Sequence, residues 1–218
     1  MAVFFMPFCR NASDLARRGL LALVAALLLG LCIAAGSAWA GSIEPAWGKL
    51  SSDEDAYVLS AEFNIDLGSH IEETVARGVP LYFVLELEIT RNRWFWPGEH
   101  IAGRSITYRL AYIPLTRQYR LSSGSALHQN FATLTEALHV LGRTAALPIA
   151  DRKELKPGET YQVALRLTLD RQQLPKPLQI DAIANKDWEI EAKVLRWQFV
   201  APTAATQMMP TSSEREAK

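Results

Sequence analysis

The stretch LYFVLELEITRNRWFWPGEH, residues 81–100, contains the longest predicted strand and the best candidate for a functional site. In its first half, apolar side chains recur at every second position, which is the period of a half-buried β-strand. Continued alternation would turn Arg91 and Arg93 into the core, where an unpaired charge is costly. The strand is therefore predicted to leave the core, or to form a bulge, near Thr90.

The same alternation recurs along the chain. It predicts further strands over about 43–50, 56–67, 106–112, 115–121, 161–169 and 188–199. Turns rich in Pro and Gly separate these strands, as in a β-meander. We therefore predict a mainly β protein, an antiparallel two-sheet β-sandwich (immunoglobulin-like) of seven or eight strands with two short helices.

Capping residues predict where the two helices begin. Ser69 with Glu72 forms a capping box, and Thr133 with Glu136 forms another, in which each side chain bonds an amide at the helix start. Glycine is predicted to end both helices, the second one at Gly142. Each helix is therefore short.

Two features near the C-terminus receive structural interpretations. The segment LPKP, residues 174–177, interrupts strand pairing, and we interpret it as a stiff connector, with an extended polyproline docking segment as the alternative. Trp188 is interpreted as a core anchor at the start of the last strand.

The first forty residues are interpreted as a targeting segment and not as part of the fold. Basic residues precede the apolar run 20–35, and the small residues around Ala38 and Ala40 form a cleavage pattern. The segment is a signal peptide cut after Ala40 or, since the run is nearly long enough to cross a bilayer, a retained anchor. Either way we expect an exported domain, periplasmic or anchored to the inner membrane facing the periplasm. The predicted organisation is 1–40 signal peptide or N-terminal membrane anchor, 41–200 single β-sandwich domain and 201–218 disordered tail.

Composition argues against several functional classes. The formal net charge is zero and no Lys/Arg cluster is visible, so no nucleic-acid partner is predicted. Cys9 and Cys32 both lie in the targeting segment, so a chain cut after Ala40 has no thiol for catalysis, disulfides or metal binding. No phosphate-binding glycine loop is present, and no cofactor is predicted.

The candidate contact residues lie in the aromatic turn, which we define as residues 91–98. Its side chains combine Trp with Arg, the residue types that dominate binding hot spots. An exposed turn of this kind could contact a partner protein, the bilayer interface or a sugar. Alternatively, the rings fold back over the end of the domain with arginines stacked on their faces. The candidates are Arg91, Arg93, Trp94, Phe95 and Trp96.

A second candidate contact consists of Arg117 and Tyr119, in a strand that also carries Arg120. Arginines are common on edge strands, where they discourage unwanted pairing. We therefore favour an edge-strand interpretation over a binding one at this position.

No residue is predicted to be catalytic or to bind a metal. Glu99 and His100 could form the acid–base pair of a hydrolase, but adjacent charged residues in a turn are usually solvated. Glu136 and His139 fall on one helical face and could hold a metal ion, but a pair at this spacing is common on solvated helices.

Four motifs support a resemblance to a known family. They are RWFW at 93–96, LTRQYR at 115–120, LKPGETY at 155–161 and LPKPLQ at 174–179. In these motifs the chain resembles a family of exported proteobacterial proteins described as domain of unknown function 4390, collinearly from about residue 43 to 199. The resemblance implies export and a signalling accessory of a membrane sensor histidine kinase, but it supplies no catalytic residue.

The expected function is accordingly a non-enzymatic binding or adaptor module of the cell envelope. Its partner is expected to be an envelope protein, with a sensor kinase as the candidate, and the N-terminal segment provides possible membrane contact. The alternative is a small-ligand or glycan binder that uses the same aromatic turn, and a hydrolase is the third hypothesis.

Overall fold

The computed structural model describes residues 41–53, 55–91, 98–124 and 127–203, with the side chain of Leu127 excepted. These residues belong to one compact unit, Trp39–Lys218. Several predictions lie outside the described residues: the targeting segment 1–40, the candidates Arg93, Trp94, Phe95 and Trp96, and the tail from residue 204.

The described chain is mainly β, as predicted, and contains two sheets, one of them curled into a half-barrel. Ten strands occur within the described residues, more than the seven or eight predicted. They are β1 (Ser42–Ser52), β2 (Ala56–Asp66), β3 (Leu81–Arg91), β4 (Glu99–Ile113), β5 (Gln118–Ser123), β6 (Leu127–Phe131), β7 (Arg143–Asp151), β8 (Thr160–Leu169), β9 (Glu191–Ala192) and β10 (Leu195–Val200).

Three α-helices accompany these strands in the described part of the chain, where two were predicted. They are α1 (Gly68–Ala76), α2 (Leu134–Leu141) and α3 (Lys176–Ala184), with 3-10 turns at Arg171–Gln173 and Lys186–Trp188. None of the helices that the structure describes is long and apolar enough to cross a membrane.

The strands form a four-stranded sheet in the order β7-β2-β1-β9 and a six-stranded sheet in the order β10-β8-β3-β4-β5-β6. Pairing is antiparallel except between β1 and β9, which run parallel over two residues. The immunoglobulin-like part of the prediction is not confirmed by this arrangement.

Both sheets contribute to one hydrophobic core. The alternation in β3 buries every second side chain, from Leu81 to Ile89, as its sequence predicts. Ile43 and Leu59 face the same core from the four-stranded sheet. Trp188, the largest fully buried side chain among the described residues, confirms its interpretation as a core anchor.

The helix starts agree only partly with the predicted capping boxes. Thr133 caps α2 as predicted, because its side chain accepts a hydrogen bond from the Glu136 amide at 3.2 Å. The box proposed for α1 is wrong: the helix begins at Gly68 after Leu67, and the Gly68 amide donates to Asp66 Oδ1 at 3.0 Å, so Ser69 is not the capping residue. Gly68 has φ +72, a conformation that glycine adopts without steric cost, so the backbone turns into α1 there.

The predicted connector at 174–177 is confirmed only in its first half: Leu174 and Pro175 are extended and join the 3-10 turn to α3, whereas Lys176 and Pro177 form the first turn of the helix. An extended docking segment over all four residues is therefore wrong. Pro177 lies in the first turn, where a missing amide hydrogen costs no helical hydrogen bond and the ring pre-sets φ. Gln179 Nε2 donates to the carbonyl oxygens of Leu174 and Gln172 at 2.7 and 2.5 Å, which fixes the helix against the preceding turn. Proline therefore begins this helix.

The predicted last strand is divided between the two sheets. Trp188 lies in a 3-10 turn and not at a strand start, β9 pairs with β1, and β10 pairs with β8. Ala201, the first residue of the predicted tail, is fully buried, and its amide donates to the Glu159 carbonyl at 3.0 Å.

The six-stranded sheet has two ends, which we call the turn end and the entry end. At the turn end, β3 stops at Arg91 and β4 begins at Glu99. At the entry end, β3 begins, and the Asp170 amide after β8 donates to the Tyr82 carbonyl at 2.8 Å, just before the chain enters α3. At about 3.3 Å per residue, the length of β3 separates these ends by about 33 Å.

Candidate functional site

A β-bulge lies near the predicted break, but it is in β4 and not in β3. The pairing register shifts between Ile89 and Thr90, so that Thr90 faces His100, Arg91 faces Glu99, and Ile101 of β4 is the extra residue. β3 itself keeps its register with β8 through Thr90. Arg91 therefore stays in phase with Ile89, and at the sheet end its side chain is half-buried and paired with carboxylates.

Arg91 joins two carboxylates across the base of the aromatic turn. Its Nη2 lies 2.5 Å from Glu99 Oε2, and its Nη1 lies 3.0 Å from Glu159 Oε2. Hydrogen bonds to Glu99 and Glu159 raise the pKa of Arg91. The hydrogen bond from Arg91 is the main cause that lowers the pKa of Glu159 below its usual 4.5. Both flanks of the turn are thus attached to a third segment, just before β8.

Tyr161 extends this network. Its hydroxyl donates to Glu159 Oε2 at 3.1 Å and accepts from the Lys156 amide at 2.8 Å. Burial raises the pKa of Tyr161, so the hydroxyl stays protonated at neutral pH. The Gly158 amide also donates to the Ala201 carbonyl at 2.8 Å, which connects the end of the described chain to the same base. We call Arg91, Glu99, Glu159 and Tyr161 the arginine network.

The second predicted contact lies at the opposite end. Arg117 is exposed in the turn 114–117 with φ +53, and Tyr119 is half-buried in β5 with its ring centroid 4.9 Å from that of Tyr112. Burial raises the pKa of Tyr119. The edge-strand interpretation is wrong, because β5 lies between β4 and β6. The seven candidate residues therefore do not form one site: Arg91 lies at the turn end, and Arg117 and Tyr119 lie at the entry end.

The two chemical alternatives gain no support from the described geometry. Glu99 is engaged by Arg91, and His100 Nδ1 lies 3.3 Å from Glu88 Oε1, so each member of the proposed acid–base pair has another partner. Glu136 and His139 are exposed. Among the residues that the structure describes, no group of three or more His, Cys, Asp or Glu could hold a metal ion.

Sequence reasoning missed an apolar surface at the entry end. Ile180 and Ile183, one turn apart on α3, are 73% and 89% exposed. A cleft of about 840 Å³ lies beside this helix and is lined by Ile183, Arg171 and Lys186 among others. The three-residue spacing of the isoleucines was visible in the sequence, but the prolines before them argued against a helix.

The fold and the arginine network define a mainly β, two-sheet domain in which the long strand β3 leads into the aromatic turn. The family model described as Domain of unknown function (DUF4390) matches residues 47–198, well over half of the chain. The chain belongs to this family, which confirms the resemblance in its sequence motifs. The comparisons with curated proteins and with solved structures found no match.

Proposed function

We propose that the protein is an exported, non-enzymatic binding module of the cell envelope that presents the aromatic turn to a partner protein. The observation that carries the proposal is the bridge from Arg91 to Glu99 and Glu159. The partner we favour is the extracytoplasmic part of a membrane sensor histidine kinase, as the family resemblance implies. The apolar run 20–35 supports export or anchoring.

A fixed base under the turn favours binding for an energetic reason. Association costs conformational entropy whenever it orders a flexible segment, and a pre-organised segment has less to lose. Arg91 and its two carboxylates join the flanks of the turn to the segment before β8, so the flanks are held before any partner arrives. The residues between those flanks include two tryptophans and an arginine, which are hot-spot residue types.

The overall architecture is compatible with this role. We take the two sheets as the layers of a β-sandwich, an arrangement supported by the single core to which both contribute. The flanks of the aromatic turn, Arg91 and Glu99, then lie at one end of the sandwich, where binding loops lie in other folds of this architecture.

Photocrosslinking in intact cells tests the proposal. A crosslinkable amino acid replaces Trp96 in the full chain, and the matched control carries it at Thr107, an exposed position in the middle of β4. We expect a discrete adduct from position 96 and none from position 107, with an envelope protein identified in the adduct by mass spectrometry. The adduct should weaken when Arg91→Met removes the bridge, because the base of the turn then loses its fixed geometry.

Other outcomes would overturn the proposal. The absence of an adduct at position 96, in a chain that retains its fold, would contradict protein binding by this turn. Saturable quenching of tryptophan fluorescence by a purified oligosaccharide would then favour the glycan-binding alternative. An adduct of equal strength at position 107 would indicate non-specific contact.

A further inference from the structure

The most exposed large apolar side chains of the described chain gather at the entry end. Leu115 is 94% exposed in the turn 114–117, and Ile183 and Ile180 are 89% and 73% exposed on α3. The turn follows the end of β4, which pairs with the start of β3, and α3 follows the end of β8, which lies beside the same start. Side chains so exposed protrude from the domain, so solvent surrounds three aliphatic groups at one end of the molecule.

The described chain also begins at this end. The Glu191 amide donates to the Gly41 carbonyl at 3.0 Å, and three residues earlier Trp188 Nε1 donates to Asp181 Oδ2 of α3 at 2.8 Å. Gly41 is therefore connected to α3 in space through the short segment from Trp188 to Glu191. A peptide bond joins residue 40 to Gly41, so the part of the chain that precedes the described residues is attached at the entry end.

Basic side chains flank the protruding aliphatic ones. Lys176 begins α3, Lys186 follows its end, and Arg117 lies two residues after Leu115; all three are exposed. Long basic side chains near an apolar surface place their charges at lipid headgroups while their stems stay in the interface. Exposed acidic residues such as Glu72 and Glu189 lie on neighbouring elements at this end, so burial of the aliphatic groups, and not net charge, has to drive contact.

We propose that α3 and the turn 114–117 rest in the headgroup region of the bilayer, so that the entry end is a lipid-contact surface of the domain. Ile180, Ile183 and Leu115 enter the interface, and the basic residues beside them contact phosphate groups. A retained targeting segment holds this surface at the membrane at high effective concentration, so each contact can be weak. The turn end of the sheet, with Arg91 and Glu99, is then separated from this surface by the length of β3, about 33 Å.

Lipid-borne quenchers test this surface directly. The full chain, with Cys9→Ser and Cys32→Ser, receives one bimane-labelled cysteine at Ile183→Cys or Leu115→Cys. The matched control is Val200→Cys, an aliphatic position that is 58% exposed at the turn end. Each chain is incorporated into vesicles of phosphatidylcholine and phosphatidylglycerol that contain nitroxide-labelled lipid. Only chains recovered with floated vesicles are measured, so an unbound chain cannot imitate a negative result.

We expect quenching at positions 183 and 115 that is at least about threefold larger than at position 200. It should persist in vesicles of phosphatidylcholine alone, because apolar burial drives the contact. Equal quenching at all three positions would overturn the proposal, since the domain would then lie on lipid without a preferred surface. Weak quenching at 183 and 115 would overturn it as well. Disulfide-linked dimers of the unlabelled Ile183→Cys chain on the vesicles would also overturn it, since a second copy of the chain would then cover α3.

Discussion

Arg91 shows what residue-scale reasoning can predict and where it stops. Two arginines in phase with the buried side chains of β3 predict a break near Thr90; a bulge does lie there, but its extra residue is Ile101 of β4, and β3 keeps its register with β8 through Thr90. The same reasoning predicts that a cation in such a position needs a carboxylate. It cannot name Glu159, which is 68 positions away and reaches Arg91 only because β8 pairs with β3.

The arginine network makes the stability of the domain depend on pH. Arg91 lowers the pKa of Glu159 below 4.5, so between the two values the unfolded chain binds more protons than the folded one. Stability from this carboxylate is complete above about pH 4.5 and is lost as the pH falls through the folded pKa. We expect Arg91→Met to reduce the loss of stability over this acidic range, as measured by urea midpoints from about pH 3 to pH 7.

Arg166 provides the matched control for this prediction. It forms an exposed cross-strand pair with Glu86, 2.6 Å between Nη2 and Oε2, and has no contact with the arginine network. Arg166→Met should therefore change the midpoint slightly and keep the wild-type dependence on pH. A wild-type profile in the Arg91→Met chain would contradict the role of Arg91 in holding Glu159 ionised.

At the scale of elements, strand periods were easier to predict than helix starts. Alternation located β2, β3 and β8 because each has one face in the core. Helix α3 was missed since its signal combines two prolines with apolar residues on both faces, a pattern typical of connectors. Its helical state depends on Ala182, which is buried against the rest of the domain, and a sequence alone does not show that contact.

Gly142 at the end of α2 is required, but for a different reason from the one that the sequence predicted. Gly142 was expected as a helix stop, but its φ of −73° needs no special residue. A Cβ at this position would lie 2.5 Å from the Phe63 carbonyl oxygen, and the Phe63 amide donates to the Gly142 carbonyl at 2.9 Å. Close approach of α2 to β2 therefore requires the glycine.

We expect Gly142→Ala to lower the free energy of unfolding by about 1–3 kcal/mol, because the backbone of Phe63 has to move. Gly98→Ala is the control: its nearest neighbours would lie 3.6 Å from the new Cβ, and the change should stay below about 0.5 kcal/mol. Urea unfolding of both variants measures the difference. Equal losses at the two positions would mean that the backbone flexibility of glycine, and not the lack of space for a Cβ, explains the need for Gly142.

At the scale of the whole molecule, the chain crosses from one sheet to the other near its C-terminus. After β8 it passes through α3 and Trp188, adds β9 to the four-stranded sheet, and returns as β10 to the six-stranded one. Periodicity predicts that residues form strands but does not say which sheet they join, so this crossing was predicted as one continuous strand. Trp188 lies within this crossing and contacts two helices: its Nε1 donates to Asp181 of α3, and its ring centroid lies 5.3 Å from that of His70 in α1.

Trp188 should therefore contribute to the stability of the whole domain. Trp188→Phe removes a buried hydrogen bond and part of a ring, and we expect a loss of about 1–3 kcal/mol in urea unfolding. Trp47→Phe is the matched control, because Trp47 donates a similar bond to Glu62 at 3.0 Å but is 46% exposed. Its loss should stay below about 1 kcal/mol, and a comparable loss in both variants would contradict a special contribution of the buried Trp188 to stability.

The pairing of β1 with β9 also constrains how a nascent chain acquires this fold. Glu44 and Lys193 form an ion pair across 149 positions of sequence, and Ser42 pairs with Glu191. A ribosome or a translocation channel delivers the N-terminus first, so the four-stranded sheet stays without its last strand until residue 191 has emerged. Contacts of such high sequence separation form slowly. Until then the edge of β1 that β9 covers stays unpaired, and the arrival of residues 191–193 is the step that completes this sheet.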